Sequence, residues 1–219
     1  MKAPPALVGC SLDSNLFTGS WIGSALSYIL SRHPGVLFLI ADDLLHYTRS
    51  QRMRRAAAKV DFGASSLIIR RRSDEFERTL AASAGRLAEI DKSRVEVKRW
   101  REFADASFVE LYRRMLIACW TVRPFRECVE SMAREHIFRR TDQDKILGVV
   151  GASTTYVLEE VAMCLRVTEV AGYSHEYYPA PEARVLTELY SGRFDQYGLS
   201  VRDLVGKDPA RQFTVLPPW

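Results

Sequence analysis

Two short apolar runs separated by one amphipathic segment constrain the fold of this chain more than any other feature. Residues 5 to 10 end in Val8-Gly9-Cys10 and are followed by Ser11, and Val36 to Ile40 is uninterrupted Val-Leu-Phe-Leu-Ile. Runs of this length, apolar at every position, read as strands covered on both faces. Between them Trp21, Ile22, Ala25, Leu26, Ile29 and Leu30 recur at helical spacing, with Thr18 or Ser20 available as a cap and His33-Pro34-Gly35 as a stop. A strand, a crossover helix and a second strand in one sheet require parallel pairing and a right-handed connection. The expected class is therefore α/β, a Rossmann-like open and mostly parallel sheet flanked by helices. In such sheets ligands bind beyond the carboxyl ends of the strands, where the strand order reverses. Ser11 directly follows the first strand.

The rest of the chain continues the alternation. The stretch after Ala41-Asp42-Asp43, to about Val60, is basic and helix-compatible, Asp61-Phe62-Gly63 reads as a break, and Ser73-Asp74-Glu75 is expected to open a helix running to about Ile90. Val95 to Lys98 reads as a third strand. Helices are expected from Ser107 onward, again beyond Pro124, and from about Gln143 to Leu165. Val167 to Ala171 and His175 to Tyr178 are expected to be strands or extended segments, Pro181 to Leu189 a late helix, and the tail from Val205 an extended surface strap. A length of 219 residues and 47% apolar content suit a single domain over 1–219 with a sizeable core.

Composition excludes several classes. Cys10, Cys119, Cys128 and Cys164 show no Cys-x-x-Cys or zinc-ligand spacing, so no metal is expected and they read as free thiols in a reducing compartment. The apolar start is too short for a secretion signal and no segment approaches a transmembrane length, so a cytoplasmic protein with no membrane partner is expected. The net charge is only +4, but Arg49, Arg52, Arg54, Arg55, Lys59, Arg70, Arg71, Arg72, Arg78 and Arg86 concentrate positive charge in one region.

The segment Thr155-Tyr156-Val157-Leu158-Glu159-Glu160 puts a phenol and a carboxylate four residues apart, on one helix face. Ser153-x-x-Tyr156-x-x-x-Glu160 has the outline of a short-chain dehydrogenase pattern, but Glu replaces the lysine that would lower the phenol's pKa, and no G-x-G-x-x-G follows the first strand. Walker A, Gly-x-Ser-x-Gly and His-Glu-x-x-His patterns are also missing. Taken singly, Ser11 is an ordinary turn residue, Tyr156 and Glu160 an ordinary i,i+4 pair, and Tyr178-Pro179 an extended dipeptide.

Taken jointly, Gly9-Cys10-Ser11 after the first strand, Tyr156 to Glu160 on a late helix and Tyr178 eighteen residues further on resemble the cyclodipeptide synthases. These enzymes join amino acids from two aminoacyl-tRNAs into a diketopiperazine, on a fold similar to the class I tyrosyl- and tryptophanyl-tRNA synthetase catalytic domains. One branch of the family carries Asn three residues after the nucleophile, where this chain has Ser14. Another has Pro after the later tyrosine, as here with Pro179, so the chain resembles that branch.

The resemblance implies Ser11 as nucleophile, Tyr156 and Glu160 as the holders of the first amino acid's ammonium group, and Tyr178 in ring closure. It places Leu7, Gly9, Met163 and Glu176 near the first amino-acid pocket. It implies two charged tRNAs as substrates, no cofactor, no DNA partner and a monomer. Arg70, Arg71, Arg72 and Arg78 are then the preferred tRNA contacts, with Lys98, Arg99 and Arg101 next, although charged helix faces are also common for solubility alone. Glu176, Asp42 or Asp43 would recognise a cationic side chain such as arginine, because a buried carboxylate needs a paired charge. Two other functions remain open: a non-catalytic tRNA- or RNA-binding module of the same fold, and a hydrolase using Ser11, for which His33, His46, His136 and His175 are scattered.

Overall fold

The computed structural model describes residues 5–10, 17–41, 62–87, 90–138, 147–173, 175–179, 183–207 and 211–217, without the side chains of 62–69, 136–138 and 147–153. These residues divide into two compact units. The first contains the strands, and the second is helical.

In the first unit, strands β1 (Ala6–Cys10), β2 (Val36–Ile40), β3 (Val95–Arg99), β4 (His175–Tyr178) and β5 (Gln212–Val215) form one sheet in the order β3-β2-β1-β4-β5, parallel at every pairing. The order runs one way from β1 to β3 and the other way from β4 to β5, so the reversal falls between β1 and β4. Helix α1 (Gly19–Leu30) is capped by the Thr18 hydroxyl, which accepts from the Trp21 amide, and it is the crossover expected between β1 and β2. Its buried stripe packs with Ala6, Val8 and Cys10 of β1, Val36, Phe38 and Ile40 of β2, and Tyr177 of β4. Helix α2 (Phe62–Arg86) closes the same core through Phe76, Leu80 and Ala84.

Two expectations for this unit are corrected. Residues 62–86 are one helix, with neither a break at Phe62-Gly63 nor a start at Ser73. Ser73 is fully buried on the stripe it shares with Phe76, Leu80 and Ala84, so it packs where a cap would be solvated. The C-terminal segment is likewise more than a surface strap. It forms β5, and just beyond it Leu216 is buried while the Trp21 indole donates to the Pro217 carbonyl.

Arg94 closes the other end of the crossover. Its guanidinium donates to the carbonyls of Leu30, His33 and Pro34, satisfying acceptors that the end of α1 leaves without helical partners. A side chain at Gly35 would lie 3.1 Å from the Arg94 carbonyl, which explains a residue without Cβ at that turn.

The second unit contains α3 (Ala106–Thr121), α4 (Arg123–Phe138), α5 (Leu147–Ala171), α6 (Arg184–Tyr190) and α7 (Val201–Val205). The junction between α3 and α4 is Val122, and Pro124 sits in the first turn of α4, where its missing N–H costs nothing. Helix α5 packs against both α3 and α4. Its Val157, Leu158, Val161, Ala162, Met163 and Leu165 are all buried, the pattern of a helix enclosed on several sides.

The expected strand at 167–171 is instead the last part of α5. Val167, Thr168 and Val170 favour strands locally, but Val167 and Thr168 continue the buried surface and the Thr168 hydroxyl donates to the Cys164 carbonyl one turn back. Gly172, with φ of 65°, then ends the helix in the left-handed conformation. The late helix begins at Arg184, three residues beyond the expected Pro181. No described helix is long and apolar enough to cross a membrane.

Candidate functional site

The first unit supplies the strand ends. Ser11 lies outside the described residues, as do Ser14, Asp42, Asp43 and residues 49–59, but Ser11 is the residue after the last position of β1. Tyr178 is the last residue of β4, the neighbouring strand across the reversal. Because side chains alternate along a strand, Leu7 and Gly9 share one sheet face with Glu176 and Tyr178, while Val8, Cys10 and Tyr177 face the α1 core. A Cβ on Gly9 would lie 3.8 Å from the Tyr178 ring and 3.9 Å from a Glu176 carboxylate oxygen. Gly9 and Tyr178 thus stand at the carboxyl ends of β1 and β4, and the Glu176 carboxylate approaches Gly9 from two residues further back along β4.

Glu176 is itself committed. Arg211, immediately before β5, puts its guanidinium 2.6 Å from the carboxylate, and both side chains are almost wholly removed from water. The same guanidinium stands 5.7 Å from the Phe213 ring, and Phe213 pairs with Glu176 in the sheet register. Sequence reasoning missed Arg211 altogether. Its only sequence signal was an arginine beside a short β-compatible run, which says nothing of what it faces.

The opposite sheet face carries another group of polar aromatics that the sequence did not connect. Hydrogen bonds link His33 Nε2 with the Tyr177 hydroxyl and His175 Nε2 with the Thr214 hydroxyl, and the His175 and Tyr177 rings are stacked. Burial, reinforced by the charge of Arg32, holds His33 below the usual imidazole range; burial and the neighbouring His33 do the same to His175. This group lies on the sheet face opposite Glu176 and Tyr178, with His33 in the turn that precedes β2. A groove of about 570 Å³ between α1 and α2 is lined by residues such as Ser24, Ser27 and Arg86, none of which belongs to the candidate site.

Tyr156, Glu160 and Met163 come from the second unit. Their spacing of four and three residues sets them on one stripe of α5, with Tyr156 and Glu160 half-buried and Met163 fully buried. A helix enclosed on several sides holds the phenol and carboxylate in fixed spacing without a loop. Near the end of the same helix Arg166 pairs with Asp105, the N-cap of α3, and with Glu169. The guanidinium of Arg166 and the Phe108 amide hold the Asp105 carboxyl below its usual range.

The basic residues divide sharply. Arg70, Arg71 and Arg78 on α2 are exposed, and Arg72 is half-buried with interactions of its own. Arg78 donates to the Asp74 carbonyl. Asp74 and Glu75 share the exposed surface of the helix, so the face is of mixed sign. Arg99 is mostly buried between Asp74 and Glu77, and Lys98 pairs with Glu96 and Glu102. Arg101 is exposed. The four cysteines are free thiols, and burial raises the pKa of Cys10, Cys119 and Cys128. Among the described residues no cluster of metal-ligating side chains is present.

No protein-family model matches the sequence, and no curated protein sequence matches it. Solved structures do match. A cyclodipeptide synthase from Fluoribacter dumoffii aligns with a TM-score of 0.75 over 96% of this chain and 87% of that one, at 13% identity. The chain has the cyclodipeptide synthase fold. A Mycobacterium tuberculosis protein of that fold, described as demonstrating that cyclodipeptide synthetases are related to type I tRNA-synthetases, aligns with a TM-score of 0.66 over 87% of this chain and 79% of that one, at 13% identity. A cyclodipeptide synthase from Candidatus Glomeribacter gigasporarum bound to Phe-tRNAPhe aligns with a TM-score of 0.64 over 97% of this chain and 88% of that one, at 15% identity. Likeness at identities this low shows the fold alone: the α/β class that the alternating pattern predicted and the synthetase-like architecture that the resemblance implied. They leave the chemistry to be argued from the residues.

Proposed function

We propose that this chain is a tRNA-dependent cyclodipeptide synthase, an aminoacyltransferase of the branch with Pro after the later tyrosine. The observation that carries the reading is that β1, which Ser11 follows in the sequence, and β4, which ends in Tyr178, are the strands between which the sheet order reverses, in a fold shared with cyclodipeptide synthases. The tRNA-bound relative from Candidatus Glomeribacter gigasporarum supports charged tRNA as the substrate class.

In this mechanism the Ser11 hydroxyl attacks the ester carbonyl of the first aminoacyl-tRNA. A serine ester forms, the bond to the tRNA ribose oxygen breaks, and that oxygen takes up the proton. Tyr156 and Glu160 hold the ammonium of the serine-bound amino acid by hydrogen bond and by charge. Glu160 accepts a proton as the ammonium becomes an amine, which attacks the ester of the second aminoacyl-tRNA; the peptide bond forms, the bond to the second tRNA's ribose oxygen breaks, and that oxygen takes up the proton the amine loses. The free amine of the dipeptidyl-enzyme then attacks the serine ester, closes the six-membered ring and returns the hydroxyl to Ser11, with Tyr178 relaying protons. The substrate esters are already activated, so positioning supplies most of the catalysis.

Phosphates of the tRNA would meet the exposed Arg70, Arg71 and Arg78, while Arg72, Lys98 and Arg99 are engaged within the chain. Leu7, Gly9 and Glu176 of the sheet unit would contribute to the first amino-acid pocket. An arginine side chain in that pocket, held by Glu176, would have to displace Arg211.

Incubation with a pool of charged tRNAs and mass analysis of the small-molecule products tests the proposal. A cyclic dipeptide from the wild type, lost in Ser11→Ala, is expected. No cyclic dipeptide and no acyl adduct on Ser11 would leave a tRNA-binding module without catalysis.

A further inference from the structure

Resting on the synthase reading, we infer that Arg211 determines specificity: it serves as a built-in counter-ion for Glu176, so the first pocket takes an uncharged amino acid, and its loss opens the pocket to a cationic one. Three observations converge on it. The carboxylate of Glu176 lies near Gly9, on the same sheet face as Tyr178 and two residues back along β4 from the strand end where the serine ester would form. Arg211 meets that carboxylate at 2.6 Å, with the arginine side chain only 4% exposed. Phe213, one register pair from Glu176, stands beside the guanidinium and limits its freedom.

The consequence follows from the cost of unpaired charge away from water. With Arg211 in place, Glu176 and Arg211 form a neutral pair, and an incoming lysine or arginine side chain meets a guanidinium of its own sign. An uncharged side chain meets no such penalty. Without Arg211, the carboxylate remains buried beside Gly9 and lacks a cation. A substrate side chain carrying an ammonium or guanidinium supplies it, and such a side chain is favoured because it relieves a cost that a neutral one cannot. Arginine at 211 is better suited to the internal role than lysine, since its planar fork can hold a carboxylate through two parallel donors.

The experiment is a competition among all charged tRNAs, with products identified by mass, for the wild type, Arg211→Met, Arg211→Lys and the double variant Arg211→Met with Glu176→Leu. The wild type is expected to yield cyclic dipeptides without a cationic first residue. Arg211→Met is expected to raise the share of products containing arginine or lysine by about tenfold or more. Arg211→Lys keeps the internal cation and retains the wild-type products, and the double variant returns to uncharged ones.

An arginine- or lysine-containing product from the wild type that disappears in Glu176→Leu would overturn the inference, as would Arg211→Met with unchanged product identity. The double variant removes both members of the pair, so it keeps the test decisive if the single variant does not fold: cationic products from it would also refute the assignment. A wild type that makes no cyclic dipeptide at all overturns the synthase reading itself, which separates that failure from an error about Arg211.

Discussion

The two compact units hold their functional residues in different ways. In the sheet unit, position comes from backbone register: Gly9, Glu176 and Tyr178 are neighbours because parallel pairing aligns β1 with β4, although nearly the whole chain separates them in sequence. In the helical unit, position comes from local spacing along α5, where Tyr156, Glu160 and Met163 form one stripe whatever the helix packs against. Local spacing is legible from sequence, and register between distant strands is not.

The largest effects should separate the chemical roles proposed for Ser11 and for Glu160. Ser11→Ala is expected to lower cyclic dipeptide formation on the order of 10³-fold or more. Glu160→Gln, which keeps the shape but removes the charge, is expected to cost about 10²-fold while leaving tRNA binding largely intact. Equal tRNA-binding loss in both variants, measured by filter retention, would remove the distinction between nucleophile and ammonium holder.

Core truncations compare the units as packed bodies. Phe38→Ala in β2 and Phe125→Ala in α4 both remove fully buried rings, and each is expected to cost about 3–5 kcal/mol in denaturant unfolding. A markedly smaller loss at Phe125 would mark the helical unit as the looser of the two.

Polar ties differ more. Arg94→Ala would leave the carbonyls that end α1 without their donor, and about 2 kcal/mol of stability should be lost.

Acid should act on the sheet unit through His33 and His175. Both are held below the usual imidazole range, so the unfolded chain takes up protons more readily than the folded one. Their contribution is present above the ordinary value near 6.5 and is lost as the pH falls through the lowered folded values. The melting temperature is expected to drop between about pH 7 and pH 5, and the His33→Gln, His175→Gln double variant should flatten that slope. The smallest effect belongs to the helical unit. Arg166→Gln breaks pairs whose Asp105 partner is substantially exposed, and less than about 1 kcal/mol should be lost.

Much of the sheet unit's outline was readable, since uninterrupted apolar runs can only be strands covered on both sides, and β1, α1 and β2 fall where the pattern placed them. The failures share one cause. Ser73 looked like a helix cap, residues 167–171 like a strand and the tail like a surface strap, because local propensity favours each. Burial of Ser73 and Val167 in continuing helical stripes, and pairing of Gln212–Val215 with β4, overrode it.

The sequence alone therefore determined the fold class, the crossover that places Ser11 after a strand, and the stripe carrying Tyr156 and Glu160. These follow from periodicity and chain order, which are local properties. Tertiary structure alone decided that β4 lies beside β1, that Arg99 is occupied by Asp74 and Glu77, and that Glu176 already has its cation in Arg211. Such pairings join residues 22 to 35 or more positions apart, and only the sheet that brings their backbones together sets which charges meet.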